Sequence, residues 1–179
     1  MISIRPATPN DIPFLSPIEE AACALFEAIP ATMALPLYLT EIEEFQEAQR
    51  QGLLWVAEDA SGARVGFALA EWIDGVLHLE EIDVLPEHGR QGTGTRLLRA
   101  VCDWAHERGV AAVTLCTFRE VPWNAPFYRR LGFRVLGKEE LSPGLAERVR
   151  EEERAGLPRA LRVAMRLELA ERVDIIGSP

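Results

Sequence analysis

Seven consecutive residues, Gly89-Arg90-Gln91-Gly92-Thr93-Gly94-Thr95, carry the clearest chemistry in the chain. They lie between an apolar run that reads as a strand (Leu77, Leu79, Ile82, Val84, Leu85) and a helix-patterned run (Leu97, Leu98, Val101, Cys102, Ala105). Glycines at such a junction let the backbone approach a ligand closely, and the first amides of a helix have no intrahelical partner, so the loop suits a diphosphate or other anion. A glycine-rich turn can also be only a turn. Three neighbours favour binding: Pro86 closes the strand, Arg90 offers a planar donor fork to phosphate, and Val121–Phe133 carries an asparagine and a tyrosine one strand later. On the first strand itself, His78, Glu80, Glu81 and Asp83 stand among apolar residues. Carboxylates near a sheet centre are costly to bury without a partner or a role.

Together these residues resemble the GNAT superfamily of acyl-CoA-dependent N-acetyltransferases, whose hallmark is a strand, an R/Q-x-x-G-x-G/A loop and a helix. The later N-x-x-x-Y-x-x-x-G-F signature of that family has counterparts in Asn124, Tyr128, Gly132 and Phe133. One position departs, since Gly89 stands where the loop's first R/Q belongs, with Arg90 and Gln91 after it. The resemblance implies acetyl-CoA as co-substrate, with no metal. It assigns the cofactor to the backbone of Ile82, Asp83 and Val84, to the loop Gly89, Arg90, Gln91, Gly92, Thr93, Gly94 and Thr95, and to Asn124 and Phe127. Asn124 could instead be a plain helix N-cap.

An alkyl amine is protonated at neutral pH and attacks a thioester only when neutral, so a base is required. The resemblance places that base on the strand before the loop, where Glu80 is the first choice and His78 the second. Glu80 alternatively forms a salt bridge, His78 is alternatively a satisfied structural histidine, and Glu81 becomes the base if a bulge shifts the register. Tyr128 matches the tyrosine that protonates the leaving thiolate, against a core-aromatic alternative. The backbone amide of Val84 would stabilise the oxyanion. His88 and His106 read as loop and helix-surface residues.

The elements that must position these groups alternate in α/β order. The pattern predicts strands at Ile2–Arg5, Leu53–Glu58, Arg64–Trp72, Leu77–Leu85, Val110–Thr117, Phe133–Glu140 and Arg162–Leu169. It predicts helices at Ile12–Ala28, Leu37–Arg50, Gly92–Arg108, Asn124–Leu131 and Leu145–Ala155, with Gly109 as a C-cap. Ala60-Ser61-Gly62 and Asp74-Gly75 are hairpin signals. The order resembles the GNAT fold: a central mixed, mostly antiparallel sheet of six to seven strands, two splayed parallel central strands, and helices on both faces. One domain is expected over residues 1–170, with a tail at Glu171–Pro179. The acceptor pocket would be walled by Phe26–Leu39, including Ile29, Pro30, Met33, Pro36 and Tyr38, with Trp72, Trp123 and Phe118-Arg119-Glu120 nearby.

Composition narrows the partners. The chain has 179 residues, 48% hydrophobic and 26% charged, with a formal net charge of -9. That balance suits a soluble domain with a sizeable core and argues against a nucleic-acid surface, which needs a cationic footprint. It favours an amine-bearing acceptor. No apolar run is long enough for a bilayer and no signal-peptide layout opens the chain, so a cytoplasmic location is expected. A homodimer is one option for assembly. Cys23, Cys102 and Cys116 lack metal or disulfide spacing and read as small core residues. The leading function is acetyl transfer from acetyl-CoA to a primary amine of a small molecule, amino acid or peptide. The alternatives are a non-catalytic CoA-binding regulatory module and a nucleotide-binding oxidoreductase. The oxidoreductase reading lacks the three-glycine spacing and the acidic residue closing a second strand.

Overall fold

A computed structural model describes residues 1–36 and 38–169. The chain orders as β1 (Ser3–Pro6), α1 (Leu15–Cys23), α2 (Ile42–Gln51), β2 (Leu54–Glu58), β3 (Arg64–Ile73), β4 (Val76–Val84), α3 (Thr93–Glu107), β5 (Ala112–Phe118), α4 (Ala125–Arg130), β6 (Arg134–Val135), α5 (Pro143–Arg154) and β7 (Arg162–Glu168). The strands form one seven-stranded sheet in the order β1-β2-β3-β4-β5-β7-β6. It is mixed and mostly antiparallel, as expected, with β4 and β5 as its parallel pair. No helix among the described residues is long and apolar enough to cross a membrane. Two compact units can be described separately: Met1–Glu71 with Leu79–Trp104, and Trp72–His78 with the residues from Ala105 onward.

In the first unit, β2 pairs antiparallel with both β1 and β3, and adjacent residues of the pairing face opposite ways. Val56 lies opposite Phe67, whose ring meets Phe45 of α2 edge to face at 5.3 Å. The next pair is Trp55 and Ala68, and Trp55 meets Trp104 of α3 at 5.8 Å. Helices α2 and α3 therefore cover opposite faces of these strands. Each aromatic pair contributes about 0.5–1.5 kcal/mol beyond its area. The edge of the unit is tied by Asp11, which is 0% exposed and accepts hydrogen bonds from Arg5 (2.7 and 2.8 Å), Arg64 (2.7 Å) and Thr8.

In the second unit, β7 pairs antiparallel with β5 along seven register positions and with β6 along two. Leu145 of α5 packs in a small core with Ile73, Leu136 and Ala164. Asp74 and Gly75 both have left-handed φ values (50° and 79°), the backbone of a tight hairpin turn, as the Asp-Gly signal predicted. The Asp74 carboxylate accepts the Gly144 amide at 2.6 Å and thereby anchors the first turn of α5.

Several boundaries differ from expectation. The helix expected over Ile12–Ala28 is three pieces, a 3-10 turn at Pro9–Phe14, α1, and a second 3-10 turn at Ala24–Ala28. Pro13 inside the first piece lacks the amide donor that a continuous α-helix would use. Helix α2 begins at Ile42, whereas Leu37, its expected start, lies outside the described residues. The strand expected over Phe133–Glu140 is only two residues long, because Lys138–Glu140 turns and Glu140 accepts the Gly137 amide. Cys23 and Cys116 are half-buried, and only Cys102 is a core residue. The expected tail, Glu171–Pro179, lies outside the described residues.

Candidate active site

The glycine loop is built by backbone conformation. A short 3-10 turn, Pro86–His88, ends the approach from β4, and Gly89 is extended (φ −69°, ψ 158°). A Cβ on Gly89 would meet the Pro86 carbonyl oxygen at 3.0 Å. Arg90 and Gly92 are left-handed, at φ 55° and 83°. Gly92 adopts this freely, whereas Arg90 does so at a cost on the order of 1 kcal/mol. The Gly92 carbonyl accepts the Arg96 amide at 3.0 Å, so the amides following Gly92 form the first turn of α3 and have no intrahelical acceptor. Within the loop, Gln91 donates to the Glu87 carbonyl at 2.9 Å and buried Thr93 to the His88 carbonyl at 3.4 Å. Arg90 is exposed.

Strand β4 changes character along its length. Leu77, His78 and Leu79 are buried, but from Glu80 through Glu81, Ile82 and Asp83 to Val84 every residue is half-exposed. Gly66 of β3 permits a close approach here, since a Cβ on it would lie 2.7 Å from the Asp83 carbonyl oxygen, 3.2 Å from Val84 and 3.4 Å from Leu97. Val84 thus faces the α3 side, and alternation turns the Asp83 side chain the other way. That side chain is the unexpected feature. Its Oδ2 is fully buried with no hydrogen-bond partner among the described residues. Burial, and then the charge of Glu19 on α1, push its carboxyl far above the usual range. Glu19 is itself buried, accepts the Thr40 amide (3.0 and 3.1 Å) and hydroxyl (2.7 Å), and is also raised, burial again being the main cause.

In the second unit, His78 is 1% exposed and its Nδ1 lies 2.9 Å from the Thr114 hydroxyl. Burial, followed by the positive charges of Arg148 and Arg162, lowers its pKa to about 3, so the ring is neutral at neutral pH. Asn124 precedes α4, and its carbonyl accepts the amides of Phe127 (2.8 Å) and Tyr128 (3.1 Å). Its side chain makes no capping bond, and Oδ1 is buried without a partner among the described residues. Asn124 thus occupies the N-cap position of α4 without its side chain capping the helix. Tyr128 is buried and edge to face with Phe127 (5.1 Å) and Phe133 (5.6 Å), which fixes its ring. Gly132 is left-handed at φ 93°, the conformation its place in the motif requires.

The residues expected around an acceptor are largely apolar and exposed: Met33, Tyr38 and Leu39 in the first unit, Trp72 and Trp123 in the second. Buried Thr32 donates to the Phe26 carbonyl at 2.8 Å and closes the turn between them. The sequence marks the Asp83 carboxylate only as one of three on this strand in need of a partner or a role, and it does not mark Glu19 at all. Glu19 sits in an alanine-rich helix, and its partner Thr40 lies 21 positions away.

Residues 19–133 match the model of the acetyltransferase (GNAT) family. Streptothricin acetyltransferase of Streptomyces lavendulae is 36% identical over 88 residues, 46% of this chain and 45% of that protein, so the match spans less than half of the curated relative. N-acetylglutamate synthase of Neisseria gonorrhoeae, solved with coenzyme A and N-acetyl-glutamate, superposes with a TM-score of 0.71 at 19% identity, over 94% of this chain and 35% of that one. The ribosomal-protein-S18-alanine N-acetyltransferase of Escherichia coli superposes with a TM-score of 0.66 at 20% identity, over 94% of each chain.

Proposed function

Because the chain belongs to the GNAT family of acetyltransferases, we propose that it transfers the acetyl group of acetyl-CoA to a primary amine of a small molecule, amino acid or peptide. The observation that carries this reading is the half-open stretch Glu80–Val84, which leads through Leu85 and the Pro86–His88 turn into the left-handed glycine loop at the head of α3. A half-exposed strand end followed by a cradle of amides suits a ligand with amide groups at one end and a diphosphate at the other. Strand residues Ile82, Asp83 and Val84 pair with the pantetheine amides. The turn from Gly89 to Thr95 holds the diphosphate, with Arg90 as its cation. The buried, unpartnered Oδ1 of Asn124 fits an amide donor on the cofactor, and Phe127 lies beside it.

Glu80 removes the proton of the acceptor ammonium, directly or through one water. The amine nitrogen then attacks the thioester carbonyl, and the Val84 amide stabilises the oxygen anion that develops. As the carbon–sulfur bond breaks, Tyr128 gives its proton to the sulfur. His78 is neutral and tied to Thr114, which supports a positioning role rather than that of the base. The acidic balance of the chain and the apolar exposed residues Met33, Tyr38 and Leu39 favour an amine with an apolar body. A pH profile of kcat/KM tests the base. Glu80→Gln is expected to lower kcat by roughly 10²–10⁴-fold and to remove the acidic limb. An unchanged profile would return Glu80 to a structural role.

A further inference from the structure

Within the first unit, the end of β4 is shaped from β3. The register of β2 against β3 slips once: Ala57 lies opposite Gly66 and Glu58 opposite Arg64, so Val65 is an extra residue on β3. Such a bulge bends its own strand and increases the local right-handed twist. Val65 is 2% exposed, and its carbonyl accepts the Leu85 amide at 2.9 Å, one residue beyond Val84. Beside it, the backbone at Gly66 leaves no room for a side chain. An added Cβ would lie 2.7 Å from the Asp83 carbonyl oxygen, well inside van der Waals contact, and 3.2 Å from Val84. The oxygen is backbone and cannot rotate away as a side chain could, so the strand itself would have to shift. On the other flank, Arg64 donates from Nε to buried Asp11 at 2.7 Å and from Nη1 to the Gly62 carbonyl at 2.9 Å, which fastens the bulge.

The Asp83 carbonyl and the Val84 amide belong to one planar peptide unit, so moving the oxygen moves the amide with it. In a trans peptide the two point in opposite directions, and with its oxygen against Gly66 the unit turns the Val84 amide away from β3. We infer that Gly66 is a positioning residue for the acetyl transfer: its missing side chain, together with the Val65 bulge, sets where the Asp83–Val84 peptide stands, and so where the pantetheine amides and the thioester oxygen are met. The inference rests on the transferase reading and adds to it a residue outside the cofactor and base sets. A glycine that served only the sheet would cost stability when replaced and leave binding and turnover of the folded chain alone. Replacing Gly66 instead displaces the peptide unit assigned to the developing oxyanion. A misplacement on the order of 1 Å at a reacting centre can cost about 10²-fold in rate.

The test compares Gly66→Ala with Gly62→Ala in the full chain. Gly62 turns the same pair of strands, left-handed at φ 84° with open space around it, so alanine there strains the backbone but presses on nothing. Urea unfolding measures stability, calorimetric titration measures Kd for acetyl-CoA, and free-thiol release across primary amines that include hexylamine measures kcat and the amine KM, each per folded molecule. Gly66→Ala is expected to raise Kd for acetyl-CoA by about tenfold and to lower kcat by roughly tenfold to 10²-fold, with the amine KM unchanged. Gly62→Ala is expected to lose stability while keeping wild-type Kd and kcat. Arg64→Gln releases the bulge from Asp11 without adding an atom near β4; it should move Kd and kcat the same way by smaller factors, and it decides the matter where Gly66→Ala fails to fold. Wild-type Kd and kcat in folded Gly66→Ala, or in Arg64→Gln where Gly66→Ala does not fold, overturn the inference, as do equal losses in Gly62→Ala. The two readings fail separately. Acetyl-CoA binding that Gly66→Ala weakens, with no thiol release from any chain, sinks the transferase and leaves Gly66 positioning the cofactor strand. Thiol release that Gly66→Ala retains in full does the reverse, and a wild type that binds no acetyl-CoA overturns both.

Discussion

Asn124 gives a prediction in which stability and binding part company. Its Oδ1 is buried without a partner among the described residues, a state that costs about 1–3 kcal/mol. Replacing it by alanine removes that penalty from the free chain but also removes side-chain packing. The two nearly offset, so Asn124→Ala is expected to leave unliganded stability within about 1 kcal/mol, a melting shift of no more than about 2–4 °C for a chain of this size. If the side chain were a working N-cap, alanine would instead cost typically about 1 kcal/mol and up to about 2. In the complex the variant lacks the acceptor for one cofactor hydrogen bond, worth about 1.4 kcal/mol, so Kd for acetyl-CoA should rise about tenfold. Thermal unfolding and isothermal titration of wild type and variant measure both quantities. A melting temperature lower by more than about 4 °C with Kd unchanged would refute the reasoning.

Three further outcomes are expected. Tyr128→Phe should keep acetyl-CoA affinity while lowering kcat by roughly 10²-fold, as loss of a general acid does, and unchanged turnover would leave the ring purely structural. Gly66→Ala should destabilise the chain by about 1–3 kcal/mol in urea unfolding, because its Cβ would press on the Asp83 backbone oxygen at 2.7 Å, which cannot swing aside. Asp11→Ala should cost about 3 kcal/mol, since it leaves Arg5 and Arg64 without their shared buried carboxylate, though both guanidinium groups are partly solvated. The hydrogen bonds from Arg5 hold the Asp11 carboxyl far below its usual range. Its stabilisation is therefore present above the unfolded pKa of about 3.9 and is lost as pH falls below it, so wild type and Asp11→Ala should converge in acid.

The local signals in the sequence were read correctly where one short segment decides the backbone. Asp74-Gly75 makes its left-handed turn, Gly109 is left-handed after α3, and Gly92 opens that helix. The glycine loop together with the spacing of Asn124, Tyr128, Gly132 and Phe133 pointed to the family, which the match over residues 19–133 bears out. What stayed hidden depends on partners far apart along the chain. The role of Asp11 depends on Arg64, 53 positions on, which is invisible to any local window. Asp83 stood out only as one of several strand carboxylates, and the fold is what shows its Oδ2 buried without a partner among the described residues. Helix continuity also failed locally: apolar spacing suggested one helix through Ala28, but the backbone tightens to 3-10 geometry at both ends of α1.

The central claim is tested most directly by titrating acetyl-CoA into the purified chain and following free-thiol release from the same sample across a panel of amines. The account predicts micromolar binding and thiol release that depends on a primary amine. Absence of acetyl-CoA binding, or thiol release that no amine accelerates, would contradict it.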